Sequence, residues 1–241
     1  MLTDTELKHI LFLDIETAPL VYNYNELAPE MKALWNKKWQ FNKEITPEQQ
    51  YAKAGIYAEF AKVICISTGM FNGGKFEVSS FCGDDEKLLL AQFSESLSKS
   101  LNKKQQILCA HNGKEFDFPF ICRRLLINGL PLPNALNIAG KKPWDIQHLD
   151  TMELWKFGDY KNYTSLNLLA AIFNIPTPKD EIEGSDVARV YYEEKNLEKI
   201  KRYCCKDVVT VARIVQKYKG MEMLSDSRIS YIENNKNLTL A

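Results

Sequence analysis

The stretch HILFLDIE at residues 9–16 constrains this chain more than any other. It is an apolar run of strand length that ends in acid, apolar, acid, at Asp14, Ile15 and Glu16. Side chains two apart on a strand project from the same face, so both carboxylates leave the sheet together. Two anions held side by side repel each other unless a cation sits between them. An ordinary strand end with solvated acids has the same pattern, and this element alone leaves both readings open.

The rest of the chain predicts more strands and several helices. KVICISTGMF and KFEVSSF flank Asn72-Gly73-Gly74, a hairpin signal. Asp84 to Leu97 repeats apolar residues at helical spacing. QILCAHN predicts a fourth strand, FPFICRRLLING a helix closed by Gly129, and IQHLDT a fifth strand. From Thr164 onward helices are expected over 165–173, 185–194 and 197–218, with Ser165 and Ser185 as N-caps. Residues 26–54 are polar, dotted with aromatics and helix-prone. The expected architecture is α/β, a mixed five-stranded sheet flanked by helices. One domain over residues 1–220 is followed by a polar tail over 221–241.

Composition bounds the partners. The chain has 241 residues, 45% of them hydrophobic, enough for one domain with a real core. With 31 basic against 31 acidic residues the formal charge is zero. Nucleic-acid binding by bulk positive charge is therefore not indicated, and contacts would have to come from local clusters. Candidates are Lys37-Lys38, Arg123-Arg124, Lys141-Lys142 and Lys199 to Arg202, each equally a solvated face. Six cysteines without a CxxC pair read as reduced thiols, and three scattered histidines offer little to zinc. Asp14 interrupts the first apolar stretch at once, so no signal sequence is read and a cytoplasmic location is expected.

Two further elements carry acids. In HNGKEFDFPFI, Asp117 opens a predicted helix behind a turn, where it could equally be an N-cap. Asn112 lies five residues upstream. Phe116, Phe118 and Phe120 crowd the same stretch, as base-stacking or core aromatics, the core reading being favoured for Phe120. In RYCCKDVV, Tyr203 and Asp207 are four apart and share one face of a helix. That face runs near Ile200 and Val211, so the acid points partly inward and needs a partner or a metal, unless it is a surface Asp beside a half-buried Tyr.

Taken together, D-x-E in LFLDIET, N-x-x-x-F-D in NGKEFD and Y-x-x-x-D in YCCKD resemble the three motifs of the DEDD exonuclease superfamily in its tyrosine-bearing branch. NGKEFD with the flanking PFICRRL resembles in particular the proofreading domain of family B DNA polymerases, over roughly residues 8 to 218. The resemblance implies a ribonuclease H-like fold and a metal-dependent 3′→5′ exonuclease that releases nucleoside 5′-monophosphates. It implies Asp14, Glu16, Asp117 and Asp207 as metal ligands, with Tyr203 orienting the attacking water, and Thr17, Asn112 and Phe116 at the substrate. Hard oxygen donors suit Mg²⁺ or Mn²⁺, and two such ions would stabilise the attacking and leaving oxygens. Expected partners are single-stranded or frayed 3′ ends, DNA before RNA, acted on by a stand-alone nuclease of proofreading or repair type, with no membrane.

Other residues have plainer readings. Asp150 is expected to be structural, His148 a satisfied polar residue, and His111 a hydrogen-bonded strand-end histidine. Lys179 and Asp180 form a polar loop without an assignable role. A haloacid dehalogenase-type phosphatase would want D-x-D where Asp14-Ile15-Glu16 stands, and only Gly83-Asp84-Asp85 could imitate its later motif. A non-catalytic binding or assembly module on the same fold is the other rival.

Overall fold

The computed structural model describes residues 5–101, 107–159, 163–176 and 182–233. Six strands, β1 (Ile10–Pro19), β2 (Ala61–Asn72), β3 (Lys75–Cys82), β4 (Ile107–Ala110), β5 (Leu149–Asp150) and β6 (Ile229–Ile232), form one sheet. The helices are α1 (Pro29–Trp39), α2 (Pro47–Gln50), α3 (Glu86–Leu101), α4 (Asp117–Ile127), α5 (Thr151–Lys156), α6 (Leu166–Ile172), α7 (Val187–Arg189) and α8 (Leu197–Tyr218). The strand order is β5-β4-β1-β2-β3-β6. β1 runs antiparallel to β2 and parallel to β4, and β2 and β3 form the predicted hairpin. This mixed sheet flanked by helices is the ribonuclease H-like arrangement that the sequence predicts.

Alternation along β1 sorts its side chains between two layers. Leu11, Leu13 and Ile15 pack with Leu89, Leu90 and Phe93 of α3 and Phe118, Phe120 and Ile121 of α4. Ile10 and Phe12 pack with Val208, Ala212 and Val215 of α8 on the opposite face. Both faces are covered, which is why β1 begins as an unbroken apolar run. Asp14 and Glu16 continue the even-numbered row and so belong to the face that α8 covers.

Three expectations need correction. The sheet has six strands, not five, because part of the expected tail, Ile229–Ile232, pairs parallel to β3. A four-residue edge strand behind a polar stretch carries too little periodicity to announce itself. Second, Cys65 and Cys82 are joined as a disulfide rather than held as two thiols. They are direct cross-strand partners in the hairpin, with Cα atoms 4.1 Å apart. Third, the expected helix over 185–194 is a 3₁₀ turn at Gly184–Asp186, the short α7 and a π turn at Val190–Glu194. Ser185 caps nothing there; the Glu183 N–H instead donates to the Asp186 carboxylate at 3.0 Å. Helix α8 matches its predicted bounds, and Ser165 caps α6 by accepting the Leu168 N–H.

Residues 21–60 build a small aromatic annex on the sheet. Trp35 is fully buried among Leu27, Tyr51 and Phe60, and its indole N–H donates to Pro47 O at 2.7 Å. The annex is tied to β1 where Thr17 Oγ1 donates to Gly55 O at 2.7 Å.

Candidate active site

The site assembles where β1, the loop after β4 and α8 meet. On β1, a register shift falls between Glu16 and Thr17, so the pairing with β2 skips Ile64 directly beside the acids. Such bulges re-aim side chains at the ends of regular pairing. One carboxylate oxygen of Asp14, one of Glu16 and the Cys204 Sγ lie within 4.8 Å of one another. Glu16 is only 7% exposed. Asp14 is half-buried, but its Oδ2 is shielded and has no hydrogen-bond partner.

Asp117 arrives from the other layer. It opens α4 but does not cap it, because its Oδ1 crosses to β1 and accepts the Ile15 N–H at 3.2 Å. That bond anchors the third carboxylate between the two on β1. The turn delivering it is rigid. Asp150, 3% exposed, accepts the N–H groups of Asn112 and Lys114 at 2.9 and 3.0 Å. The same carboxylate caps α5 through Met152 and Glu153. Asp150 is thus structural, as expected. Asn112 adopts a left-handed φ of 60°, which Asn tolerates better than most residues, and its Oδ1 is buried without a partner.

Helix α8 brings the fourth acid. Tyr203 and Asp207 lie one turn apart on the face toward the sheet, where the Asp207 charge acts on the Tyr203 hydroxyl. The Cys204 thiol donates to Asp14 O at 3.4 Å, fixing α8 against β1 at this level.

Electrostatics show that these acids share one space. Burial, then the charges of Asp207, Glu16 and Asp117, raise the Asp14 carboxyl well above the usual range. Glu16 is raised likewise by burial, then by Asp207 and Asp117. Burial is the main force lifting Asp117 to about 8, with Asp150 and Asp207 adding to it and the Ile15 N–H opposing. The Tyr203 hydroxyl is held far above its ordinary value by burial and by the negative charges of Asp207, Glu16 and Asp14. A buried set of carboxylates that raise one another's proton affinity needs protons or cations to be stable. The Asp14 carboxylate, with one shielded and unpartnered oxygen, lies beside that of Glu16, a pairing that a hard divalent cation fits, since such ions take carboxylate oxygens.

The expected substrate residues fall around this cluster. Thr17 follows Glu16 on β1, with its hydroxyl engaged by Gly55 O. Phe116 is half-buried against Phe120, ring centroids 5.4 Å apart, while Phe118 and Phe120 are core residues. Past Thr17 a hollow of about 260 Å³ opens at the annex, with Pro19, Tyr22, Tyr24 and Tyr51 in its walls. No motif announces it, because its wall is assembled from the least patterned segment.

Several other residues are accounted for without the site. His148 accepts the Leu108 N–H at Nδ1 and donates from Nε2 to Ala135 O, a satisfied polar residue. His111 bonds Thr151 Oγ1 and Thr164 O, both at 2.9 Å. Arg124, offered as part of a basic cluster, is instead buried in an ion pair with Glu86. Asp84 accepts the Tyr191 hydroxyl and Asp85 accepts the Leu88 N–H at the start of α3, so the pair that a phosphatase would need has structural duties. Lys179 and Asp180 lie outside the described residues. Among the described residues no helix is long and apolar enough to cross a membrane.

What sequence reasoning missed is Cys204. Its signal was present, a cysteine directly after Tyr203 in the third motif, but a thiol has no place in a four-carboxylate pattern.

Comparison with known families agrees with this geometry. Residues 56–236 match a family model described as a predicted 3′-5′ exonuclease related to the exonuclease domain of PolB. The match takes in Asp117, Tyr203 and Asp207, while Asp14 and Glu16 lie before its start and join the cluster through β1. On this match the chain belongs to that family of predicted 3′-5′ exonucleases related to the PolB exonuclease domain.

Proposed function

We propose that this protein is a divalent-cation-dependent exonuclease that removes nucleoside 5′-monophosphates from the 3′ ends of nucleic acid, DNA in preference to RNA. The observation that carries this reading is the cluster of Asp14, Glu16, Asp117 and Asp207, in which Glu16 and Asp117 are buried and the charge of Asp207 helps to raise the proton affinity of the other three. Its kinship to the PolB exonuclease domain supports DNA as the substrate and proofreading or repair as the setting.

Asp14, Glu16, Asp117 and Asp207 would hold Mg²⁺ or Mn²⁺, two ions in all, which on binding supply charge stabilisation for an in-line displacement at phosphorus. The chain's own residues do the positioning. Asp14 and Glu16 are fixed by the sheet, and Asp117 by its bond to the Ile15 N–H. Tyr203 stays protonated and serves as a hydrogen-bond donor and acceptor that aligns the attacking water; it does not remove the proton. Thr17 and the orphaned Asn112 Oδ1 would meet the terminal nucleotide, and the free edge of Phe116 would pack on a base. The expected substrate is an unpaired or frayed 3′ end, whose exposed bases can stack on aromatic side chains. The same reading puts the protein in the cytoplasm, where Cys109, Cys122, Cys204 and Cys205 remain thiols and the Cys65–Cys82 disulfide is the exception.

The deciding experiment incubates 5′-labelled DNA and RNA oligonucleotides with the protein and Mg²⁺ or Mn²⁺. A ladder shortened from the 3′ end, faster on DNA, is expected. Intact oligonucleotides under both cations would leave a binding module as the better account.

A further inference from the structure

We propose that Cys204 turns the carboxylate pocket into a trap for zinc, which displaces the hard cation and switches the protein off. The inference rests on the exonuclease reading of the carboxylates and adds a regulatory ligand to that site.

The geometry comes from three donors of different chemical character. Cys204 Sγ, a carboxylate oxygen of Asp14 and one of Glu16 lie within 4.8 Å of one another. Glu16 is 7% exposed, and no hydrogen bond to its side chain is found among the described residues. The Asp14 Oδ2 is also shielded and unpartnered. The Asp14 and Glu16 carboxylates therefore lie beside a sulfur, and one Asp14 oxygen is shielded without a partner. Zinc binds sulfur at about 2.3 Å and carboxylate oxygen at about 2.0–2.2 Å, so tetrahedral binding would draw these donors together by roughly 1 Å, a side-chain adjustment.

Chemical preference separates the two occupants. Magnesium takes oxygen and has little use for sulfur, so Cys204 stays a thiol beside a magnesium-loaded pocket. Zinc accepts thiolate readily. On binding, the Sγ–H bond breaks, the proton leaves to solvent, and a zinc–sulfur bond forms with no change in oxidation state. A chain with one sulfur and two oxygens on zinc has Asp14 and Glu16 committed to an ion held in the wrong place. No positive charge stands opposite these donors in the strand pairing. Across the strand pairing, Asp14 faces Ser67 and Glu16 faces Cys65, and the Cys205 thiol is engaged with Ser67 and Ser80.

The test has an optical arm and a kinetic arm. Cobalt replaces zinc in such sites and reports sulfur ligation by a thiolate-to-cobalt absorption band in the near ultraviolet. Titrating the metal-free protein with Co²⁺ should develop that band in the native chain and in Cys205→Ser, but not in Cys204→Ser or Cys204→Ala. In the kinetic arm, each protein is compared with its own rate in Mg²⁺ alone, and zinc should inhibit the native chain at concentrations about tenfold or more below those needed for the Cys204 variants. Melting curves confirm that each variant is folded, and two replacements guard against one that is not. A band that survives loss of Cys204, or a native chain without one, overturns the trap. The two readings fail separately: without nuclease activity the band would still appear, and without the trap the nuclease would still run.

Discussion

Asp117 Oδ1 and the backbone N–H of Ile15 meet at 3.2 Å although 102 residues separate them in the chain. Asp117 thus has two duties, an acceptor that ties α4 to β1 and a charge beside Asp14 and Glu16. Two substitutions separate them. Asp117→Asn can keep the acceptor and lose the charge, so it should fold normally and lose cleavage. Asp117→Ala leaves the Ile15 N–H without this partner in a buried setting, which costs about 1–3 kcal/mol, and should lose cleavage as well. Chemical denaturation of both variants checks the split, and equal stability would show that the bond contributes nothing.

Asp14→Asn should raise the melting temperature of the cation-free protein, because it removes a charge that Asp207, Glu16 and Asp117 all oppose. Its cleavage rate should fall by more than the ~10–100-fold typical of losing a group behind a metal ligand. Mg²⁺ should raise the melting temperature of the native chain far more than that of the variant. An Asp14→Asn protein that unfolds outright would make Asp14 a scaffold residue.

The same crowding sets a pH dependence. Asp117 has its folded value lifted to about 8 from an ordinary 3.8, and Asp14 and Glu16 move in the same direction. For an acid so raised, the folded state binds the proton more tightly than the unfolded state. The stabilisation is complete below about pH 4 and is lost as pH rises through about 8, at up to about 1.4 kcal/mol per pH unit for each group. Melting of the cation-free protein should therefore fall between about pH 5 and pH 8, and the lift given by Mg²⁺ should grow over that range. A melting temperature that climbs with pH in the absence of cations would contradict the buried cluster.

The ion pair of Glu86 and Arg124 is buried, and Glu86 also accepts the Val63 N–H at 2.8 Å and the Asn128 side-chain amide at 3.0 Å. Glu86→Ala would strand a buried guanidinium, a loss of about 3–5 kcal/mol. Because the pair joins α3 to α4 away from the carboxylates, the folded fraction should still cleave. Urea denaturation with activity measured at low temperature would show whether stability and rate part company.

Gly69 sits on β2 beneath α8, and a Cβ there would meet Phe76 at 2.4 Å and Val208 at 2.7 Å. Both neighbours belong to the packed core, so Gly69→Ala must push α8 outward, costing about 1–3 kcal/mol. Val208 follows Asp207 directly, so the shift also moves a proposed ligand. Gly69→Ala should lose both stability and apparent Mg²⁺ affinity, whereas unchanged cation dependence would mean that α8 yields elsewhere.

Much of this was legible in the residues, for identifiable reasons. Period-two spacing placed Asp14 and Glu16 on one face, and period-3.6 spacing placed Tyr203 one turn from Asp207. Helix α8 was clear because a long amphipathic stretch leaves little choice of boundary. The Cys65–Cys82 pairing was hidden from a search for CxxC, though not from the hairpin. Once Asn72 pairs with Lys75 around Gly73 and Gly74, register alone sets Cys65 opposite Cys82. β6 was illegible because parallel pairing at an edge depends on β3 and not on its own four residues. The annex escaped because aromatics such as Trp35 and Tyr51 pack in a cluster with no period to read.

β1 lies inside the sheet, with β2-β3-β6 on one side and β4-β5 on the other, yet the family match covers residues 56–236 and leaves β1 outside it. A shortened protein trimmed to that match would forfeit more than two proposed ligands. Its sheet would come apart into a three-strand and a two-strand fragment with no seam between them, and Asp117 would have no Ile15 to hold. In this chain the keystone of the architecture and the anvil of the chemistry are one ten-residue strand.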